Sequence, residues 1–473
     1  MINDLFPKES VGSYIAGSFA EKGDKNKPHN SLVTGKLLKT LHFATSKQIE
    51  EALHAAKKMP QLPPFKRAAI LREIASLLQE NRDSLANLIT HEMGKPIAQA
   101  KGEVDYTIGY FHFFAEEATR IFGNEIPSSS PGKIVRTQFE PIGPCAIITP
   151  WNFPLAMAGR KIAAAIAAGC PVIAKPSSST PLSLLAFGAL CAKSSLPKEA
   201  LSILIGNTEQ ISNALTSTPI IRKLSFTGSC ATGEALYKAC APTYKKLTLE
   251  LGGHAPFLVF ADSNIKQAAK EAVKAKYRNS GQTCICANRF FIERKVYENF
   301  TNHLLEEVQK LKVGDPLDDT TDLSFHLHPT SLEKVPLHIR DALNHGAKSR
   351  RETAHAYEPE ILTDATTEMR VFQEETFGPV AALMPFDHEN EAISLANNTP
   401  YGLAAYLFTN NLQRAERVSR ALNFGVIGLN DGTPSSPNVP FGGIKASGFG
   451  REGGPSGIYE YLTEKTISYG NLT

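Results

Sequence analysis

Cys284 closes the run Asn279-Ser280-Gly281-Gln282-Thr283-Cys284, and Leu249-Glu250-Leu251-Gly252-Gly253-His254 lies a short way upstream. Together they offer a thiol nucleophile in a small-residue loop and a carboxylate able to activate water. A cysteine by itself means little, because free cysteine usually behaves as a small buried hydrophobe. The flanks argue otherwise here. Gly281 lets the backbone approach a ligand, and Asn279, Gln282 and Thr283 are poor filling for an apolar core. The inert reading is kept for Cys145, Cys170, Cys191 and Cys240.

Such residues need a scaffold, and the chain between Cys145 and Leu251 alternates short apolar runs with helix-length segments. Cys145 to Thr149 predicts a buried strand broken by Pro150. A helix follows Pro154 and ends at Gly169, a good cap. Val172 to Ala174 predicts a strand stopped by Pro176, and Thr180-Pro181 opens a second helix as cap and first-turn proline. Leu201 to Ile205, Leu224 to Thr227 and Leu247 to Leu251 read as further strands. The alternation predicts an α/β fold with a doubly wound parallel sheet covered on both faces.

Beyond Gly253, the residues Ile265, Ala268, Ala269, Ala272, Val273 and Tyr277 recur at helical spacing and lead into the cysteine loop. The thiol is therefore expected near the end of a packed helix. Residues 66–122 are helical by periodicity, and 123–144 suggest an extended hairpin around the alternating Lys133 to Phe139. Tyr459 to Tyr469 suits a strand whose open edge a partner chain would cover. Ser324 to Tyr357 carries little signal beyond a helix around Leu337 to Asn344.

The 473 residues exceed one ordinary core, so two or three domains are expected. With 50 basic and 47 acidic residues the charge is nearly balanced, which gives no nucleic-acid or polybasic membrane footprint. The cysteines, seven and mostly in apolar segments, fit a reducing compartment rather than a disulfide framework. Asp4, Lys8 and Glu9 interrupt the N-terminus, so no signal peptide is visible, and a cytoplasmic enzyme is expected. Ala156 to Ala174 is apolar but broken by Arg160, Lys161 and Pro171, and reads as helix plus strand. Metal binding by Cys284-x-Cys286 is not expected, as no histidine or second cysteine pair lies nearby.

Phe226-Thr227-Gly228-Ser229-Cys230-Ala231-Thr232-Gly233 follows a strand and opens a helix, where backbone donors can meet phosphate. It is not a Gly-x-Gly-x-x-Gly fingerprint. It also fails as a Walker A loop, because Glu234 stands where lysine is needed.

The cysteine and glutamate segments resemble the two signatures of the aldehyde dehydrogenase superfamily, and the likeness covers nearly the whole chain. It implies an aldehyde-dehydrogenase-like layout: a dinucleotide-binding domain from 1–122 and 145–251, a catalytic domain from 252–455, and a small β oligomerisation element from 123–144 and 456–473. It implies Cys284 as the nucleophile, Glu250 as general base and Asn152, in Pro150-Trp151-Asn152-Phe153-Pro154, as the amide that holds the oxyanion beside the Cys284 backbone N–H. Asn152 could also cap the helix after Pro154. The resemblance further assigns Trp151, Asn152, Lys175, Ser177, Ser178, Gly228, Ser229, Leu251 and Glu375 to a nicotinamide cofactor. Ser178 stands where NAD-preferring relatives often carry glutamate. A serine beside Lys175 accepts a 2′-phosphate, so NADP is expected, with NAD possible.

Arg160, Arg278 and Ser435, together with Cys286 two residues after Cys284, resemble the succinate-semialdehyde branch of the family. There the two arginines and the serine hold the substrate's distal carboxylate, as guanidinium geometry favours. Either arginine alone would more simply be a surface ion pair. Cys286 is expected either to pack or to form a disulfide with Cys284 under oxidant, a redox switch. The resemblance implies oxidation of succinate semialdehyde to succinate by a homodimer or homotetramer. A dehydrogenase for glutarate semialdehyde or another small aldehyde is the alternative. A catalytically idle ligand-binding or scaffold relative is the reading from another class. The chain departs from the family at 324–357, where a Gly-rich loop is replaced by a shorter stretch rich in His and Arg.

Overall fold

The computed structural model describes residues 5–6, 8–351 and 355–470. Residues 1–4, 7, 352–354 and 471–473, which the readings of the N-terminus, the 324–357 stretch and the tail include, lie outside the described residues.

Two large sheets organise the chain. The first has eight strands in the order Gly448–Phe449, Lys246–Glu250, Lys223–Thr227, Cys145–Ile148, Val172–Lys175, Leu201–Ile203, Tyr14–Ile15 and Ser18–Phe19. Its middle five strands run parallel. Every residue of Cys145–Ile148 and Val172–Lys175 is buried, as expected when helices cover both faces. The second sheet has seven strands, with Ala287–Glu293 and Ala255–Val259 central and Lys348–Ser349 as its antiparallel edge. A third sheet joins Leu462–Tyr469, Ile134–Pro141 and Glu125–Ile126, all antiparallel. The predicted hairpin and tail strand therefore pair with each other. Gly448–Phe449, assigned from sequence to the second unit, crosses back to hydrogen bond beside Glu250 in the first sheet.

The long helical stretch divides into Pro64–Glu80, Arg82–Met93 and Ile97–Glu117. Gly94 stops the second of these at φ 82°. All thirteen residues of Ala156–Ala168 are buried, Arg160 and Lys161 included. Gly169 ends this helix in the left-handed region at φ 91°.

The helix starts are corrected by the structure. Neither Thr180 nor Asn152 caps its helix with a side-chain oxygen. Carboxylates from the helical layer take both places. Glu92 accepts from the N–H groups of Leu182 and Ser183 at 2.7 and 2.6 Å. Glu103 accepts from Leu155 and Ala156 at 2.9 and 3.1 Å. A carboxylate at a helix N-terminus satisfies free donors and complements the dipole. Sequence spacing does not reveal a cap that comes from another helix.

Glu103 also accepts from Lys95 at 2.6 Å, with both side chains fully buried. Removing one partner strands the other charge. Glu103→Ala is expected to lower folding stability by about 3–5 kcal/mol in denaturant unfolding, and adding Lys95→Met should recover part of the loss.

Candidate active site

The helix Ile265–Tyr277 delivers the chain into a tight turn at Arg278–Gly281. Asn279, Ser280 and Gly281 are all left-handed, at φ 54°, 52° and 75°. For serine that conformation costs on the order of 1–3 kcal/mol and persists only where the surroundings enforce it. Gly281 is obligatory, since a Cβ there would lie 2.2 Å from the Gly378 carbonyl oxygen. The turn is held from inside: the Asn279 amide donates to the carbonyls of Asn152 at 3.2 Å and Gln282 at 3.0 Å. The Asn152 amide donates to the same Gln282 carbonyl at 3.0 Å. Asn152 is thereby fixed against the cysteine loop rather than against its own helix.

Cys284 is half-buried and opens on a cavity of about 270 Å³. Gln99, Tyr106, Phe153, Met157, Arg160, Arg278, Ser435 and Phe441 also line it. Its backbone N–H has no protein acceptor among the described residues. Burial pushes the thiol up to about 12, against the pull of the Arg160 charge. At rest the group is therefore a thiol.

Glu250 ends the strand Lys246–Glu250, and the two motifs meet directly beyond it. A Cβ on Gly253 would sit 2.2 Å from the Cys284 carbonyl oxygen, so only glycine lets the strand pass. Both carboxyl oxygens of Glu250 are buried without a hydrogen-bond partner among the described residues. Burial, and then the charge of Glu452, push its pKa well above the ordinary carboxylate range. Glu452 forms ion pairs with both Arg160 and Lys161. Although burial opposes it, those two cations hold the Glu452 carboxyl below its usual range. The Arg160 Nε contact is an ion pair without hydrogen-bond alignment, and its Nη2 is buried without a partner. Arg160 thus faces Glu452 on one side and keeps donors unused on the other.

Arg278 is exposed, stands 5.9 Å from the Phe153 ring centroid and has no carboxylate partner among the described residues. Ser435 hydrogen bonds Tyr106 at 2.7 Å, and Tyr106 in turn meets Tyr110 at 2.7 Å. The two arginines and the serine selected from sequence therefore line one cavity with Cys284. Cys286 is buried and its thiol donates to the Lys276 carbonyl at 2.9 Å.

Lys161 and Glu452 receive no role from the sequence, the first being read only as a break in an apolar run, and Tyr106 is not singled out there. One signal was available for the first two. Adjacent cations inside a buried alanine-rich helix require a buried anion, and Glu452 supplies it.

Most of the other residues selected from sequence lie along the first sheet, while Glu375 precedes the strand Val380–Phe386 of the second. Lys175 is buried, and its ammonium meets only the Pro176 carbonyl, at 3.2 Å. Burial lowers it to about 8. Lys27, His29, Ser177 and Ser178 line a small cleft with it. The Ser178 and Thr208 hydroxyls are 3.3 Å apart. Ser229 caps the helix Cys230–Cys240, and Gly228 N–H donates to the Glu250 carbonyl at 3.0 Å. That helix packs its Gly233 on Leu251, where a Cβ would meet the leucine at 2.5 Å. Glu375 accepts from Gly253 N–H at 3.1 Å, and burial raises it to about 7. A lone buried ammonium, a capped helix start and the orphaned Thr227 hydroxyl form a donor set that fits a phosphorylated dinucleotide.

The chain matches the aldehyde dehydrogenase family over residues 19–467 and belongs to that family. It is 41% identical over 476 residues to the NADP(+) succinate-semialdehyde dehydrogenase of Escherichia coli, covering 99% of each. It is 42% identical to the glutarate-semialdehyde dehydrogenase of Pseudomonas putida, over 96% of this chain and 97% of that one. Among solved structures, an aldehyde dehydrogenase from Brucella melitensis biovar abortus 2308 superposes with TM-score 0.96 at 42% identity, covering 99% of both chains. A succinate-semialdehyde dehydrogenase from Burkholderia pseudomallei gives 0.93 at 42% identity, over 97% of this chain and 98% of that one. Among the described residues no helix is long and apolar enough to cross a membrane. No cluster of His, Cys, Asp or Glu suited to a metal occurs among them either.

Burial raises the pKa of both Cys284 and Glu250, so a reaction that uses both groups deprotonated predicts turnover rising with pH from neutral into the alkaline range. Iodoacetamide should label Cys284 ahead of the buried thiols, faster at higher pH, as peptide mass mapping would report. Preferential labelling of Cys145 or Cys191 would contradict this placement.

Proposed function

We propose that this protein oxidises succinate semialdehyde to succinate through a thioester on Cys284, with NADP as the favoured hydride acceptor and NAD as the lesser one. The observation that carries the reading is the shared cavity. A nucleophilic sulfur opens on the same space as Arg160, Arg278 and Ser435. An aldehyde carbon at the sulfur and a carboxylate at the guanidinium groups satisfy both ends of one short, bifunctional substrate.

Cys284 Sγ, once deprotonated, bonds to the aldehyde carbon. The Asn152 amide and the free backbone N–H of Cys284 hold the developing oxyanion; losing one such donor typically costs about 3 kcal/mol in barrier. The nicotinamide, when bound, supplies the site that accepts hydride. Glu250 then takes a proton from water as its oxygen attacks the thioester, and Cys284 leaves as thiolate. The dry surroundings of Glu250 suit that step, since a carboxylate tuned towards working pH is the better base. Lys175, Ser177 and Ser178 are proposed to hold the adenosine end, Ser229 and Gly228 the phosphates, Trp151 and Leu251 the cofactor's flanks, and Glu375 the nicotinamide ribose. Cys286 is kept as a redox partner for Cys284, which requires its thiol to leave the Lys276 carbonyl.

The Pseudomonas relative favours a second reading, glutarate semialdehyde, which would present the same two ends one methylene further apart. The uncovered edge of Leu462–Tyr469 supports a homodimer or homotetramer, readable by light scattering. The low cysteine usage supports a cytoplasmic setting.

Initial rates with succinate semialdehyde, glutarate semialdehyde and butyraldehyde, each with NAD and NADP, test the reading. Arg278→Ala should raise KM for succinate semialdehyde by about 10- to 150-fold, equivalent to 1.5–3 kcal/mol, and leave butyraldehyde nearly unchanged. An equal effect on both aldehydes would remove the carboxylate assignment. Ser178→Glu should shift the ratio of kcat/KM values from NADP towards NAD by at least about tenfold, through repulsion of the 2′-phosphate.

A further inference from the structure

One histidine of the stretch after Ser324 packs directly against the site. His328 lies at the join of three segments of the site. Its imidazole stacks on Trp151 with ring centroids 3.9 Å apart and planes 10° from parallel. Its Nε2 is 3.3 Å from the hydroxyl of Ser179, directly after Ser177 and Ser178. Its backbone N–H donates to the Gln282 side chain at 3.0 Å, two residues before Cys284. Its Nδ1 faces the Thr330 hydroxyl at 2.7 Å and caps the helix Pro329–Asn344. One side chain thus touches the indole before Asn152 and the serine loop, while its backbone meets the cysteine loop.

Trp151 is the single tryptophan of the chain. Phe377 meets it edge-on at 5.6 Å. Its indole N–H has no protein acceptor among the described residues, though the ring is only half-buried. A flat ring clamped on one face by imidazole and at its edge by phenyl, with its single donor unused, is a prepared contact for something not part of the chain. Preparing it matters because a ligand then need not freeze the indole on binding.

We propose that His328 is a positioning residue for the cofactor: by stacking on Trp151 and meeting Ser179 it holds the indole N–H and the serine loop in the arrangement that receives the dinucleotide. The inference rests on the cofactor reading above and adds to it a residue not selected from the sequence. The neutral ring offers the stack without adding a charge, since burial lowers its basicity. The stack and the helix cap are separable roles. Asparagine at 328 keeps an acceptor for the helix start but has no ring. Phenylalanine keeps the ring and loses the cap.

Because Trp151 is the single tryptophan, its emission reports the surroundings of this one ring. NADP should be titrated into the full-length protein, following tryptophan fluorescence, for wild type, His328→Asn and His328→Phe. Wild type should change emission on binding. His328→Asn should bind NADP about three- to tenfold more weakly, the usual value of an aromatic contact, and should show altered emission before ligand is added. His328→Phe should recover most of the affinity, and the KM for aldehyde should stay within about twofold in both variants. A purely structural role predicts the reverse order, with asparagine the milder change, and that order would overturn the proposal. Unchanged affinity in His328→Asn would overturn it too while leaving the cofactor reading intact. Wild-type protein that binds neither NADP nor NAD would overturn both.

Discussion

Four ionisable side chains are buried near one another: Glu250, Glu452, Arg160 and Lys161. Two anions and two cations could cancel pairwise, but they do not. Glu452 takes both cations, and Glu250 is left with neither a salt bridge nor a hydrogen bond. Isolated in that way, a carboxylate resists ionisation and becomes a base of useful strength. The scaffold accepts the cost of burying three charges to keep the fourth group unsatisfied. Arg160 connects this cluster to the cavity, since it faces Glu452 and Cys284 at once.

The backbone around the cluster is arranged by exclusion. Gly253 passes where any side chain would strike the Cys284 carbonyl, and a Cβ on Gly442 would lie 2.8 Å from Glu250. Three successive left-handed residues then turn the chain so that the Cys284 thiol enters the cavity while the Cys286 thiol faces the opposite way, towards the Lys276 carbonyl. Local strain at this turn is balanced by amide contacts between Asn279, Gln282 and Asn152. The same contacts tie the loop before the helix Ala156–Ala168 to the Cys284 loop, which fixes Asn152 relative to the thiol.

Cofactor and substrate sides meet through the strand Lys246–Glu250. Its end carries Glu250, whose carbonyl receives the Gly228 N–H, and Leu251 beyond it seats the capped helix. His328 adds a second tie: its ring stacks on Trp151, in the loop after Cys145–Ile148, and its Nε2 meets Ser179, in the loop after Val172–Lys175.

Much of this was legible in the linear chain, where the information is local. Strand runs bounded by proline, Gly169 at a helix end and the small-residue flanks of Cys284 each state their own conformation within a few residues. Long-range partners are a different matter. That Glu103 and Glu92 cap distant helices, that Gly448–Phe449 returns to the first sheet, and that Glu452 claims Arg160 and Lys161 all depend on residues far apart in sequence. A charge or donor carries no record of its partner in its own neighbourhood. Residue type and spacing determined which groups can react; only the folded contacts decided which of them are neutralised and which are left poised.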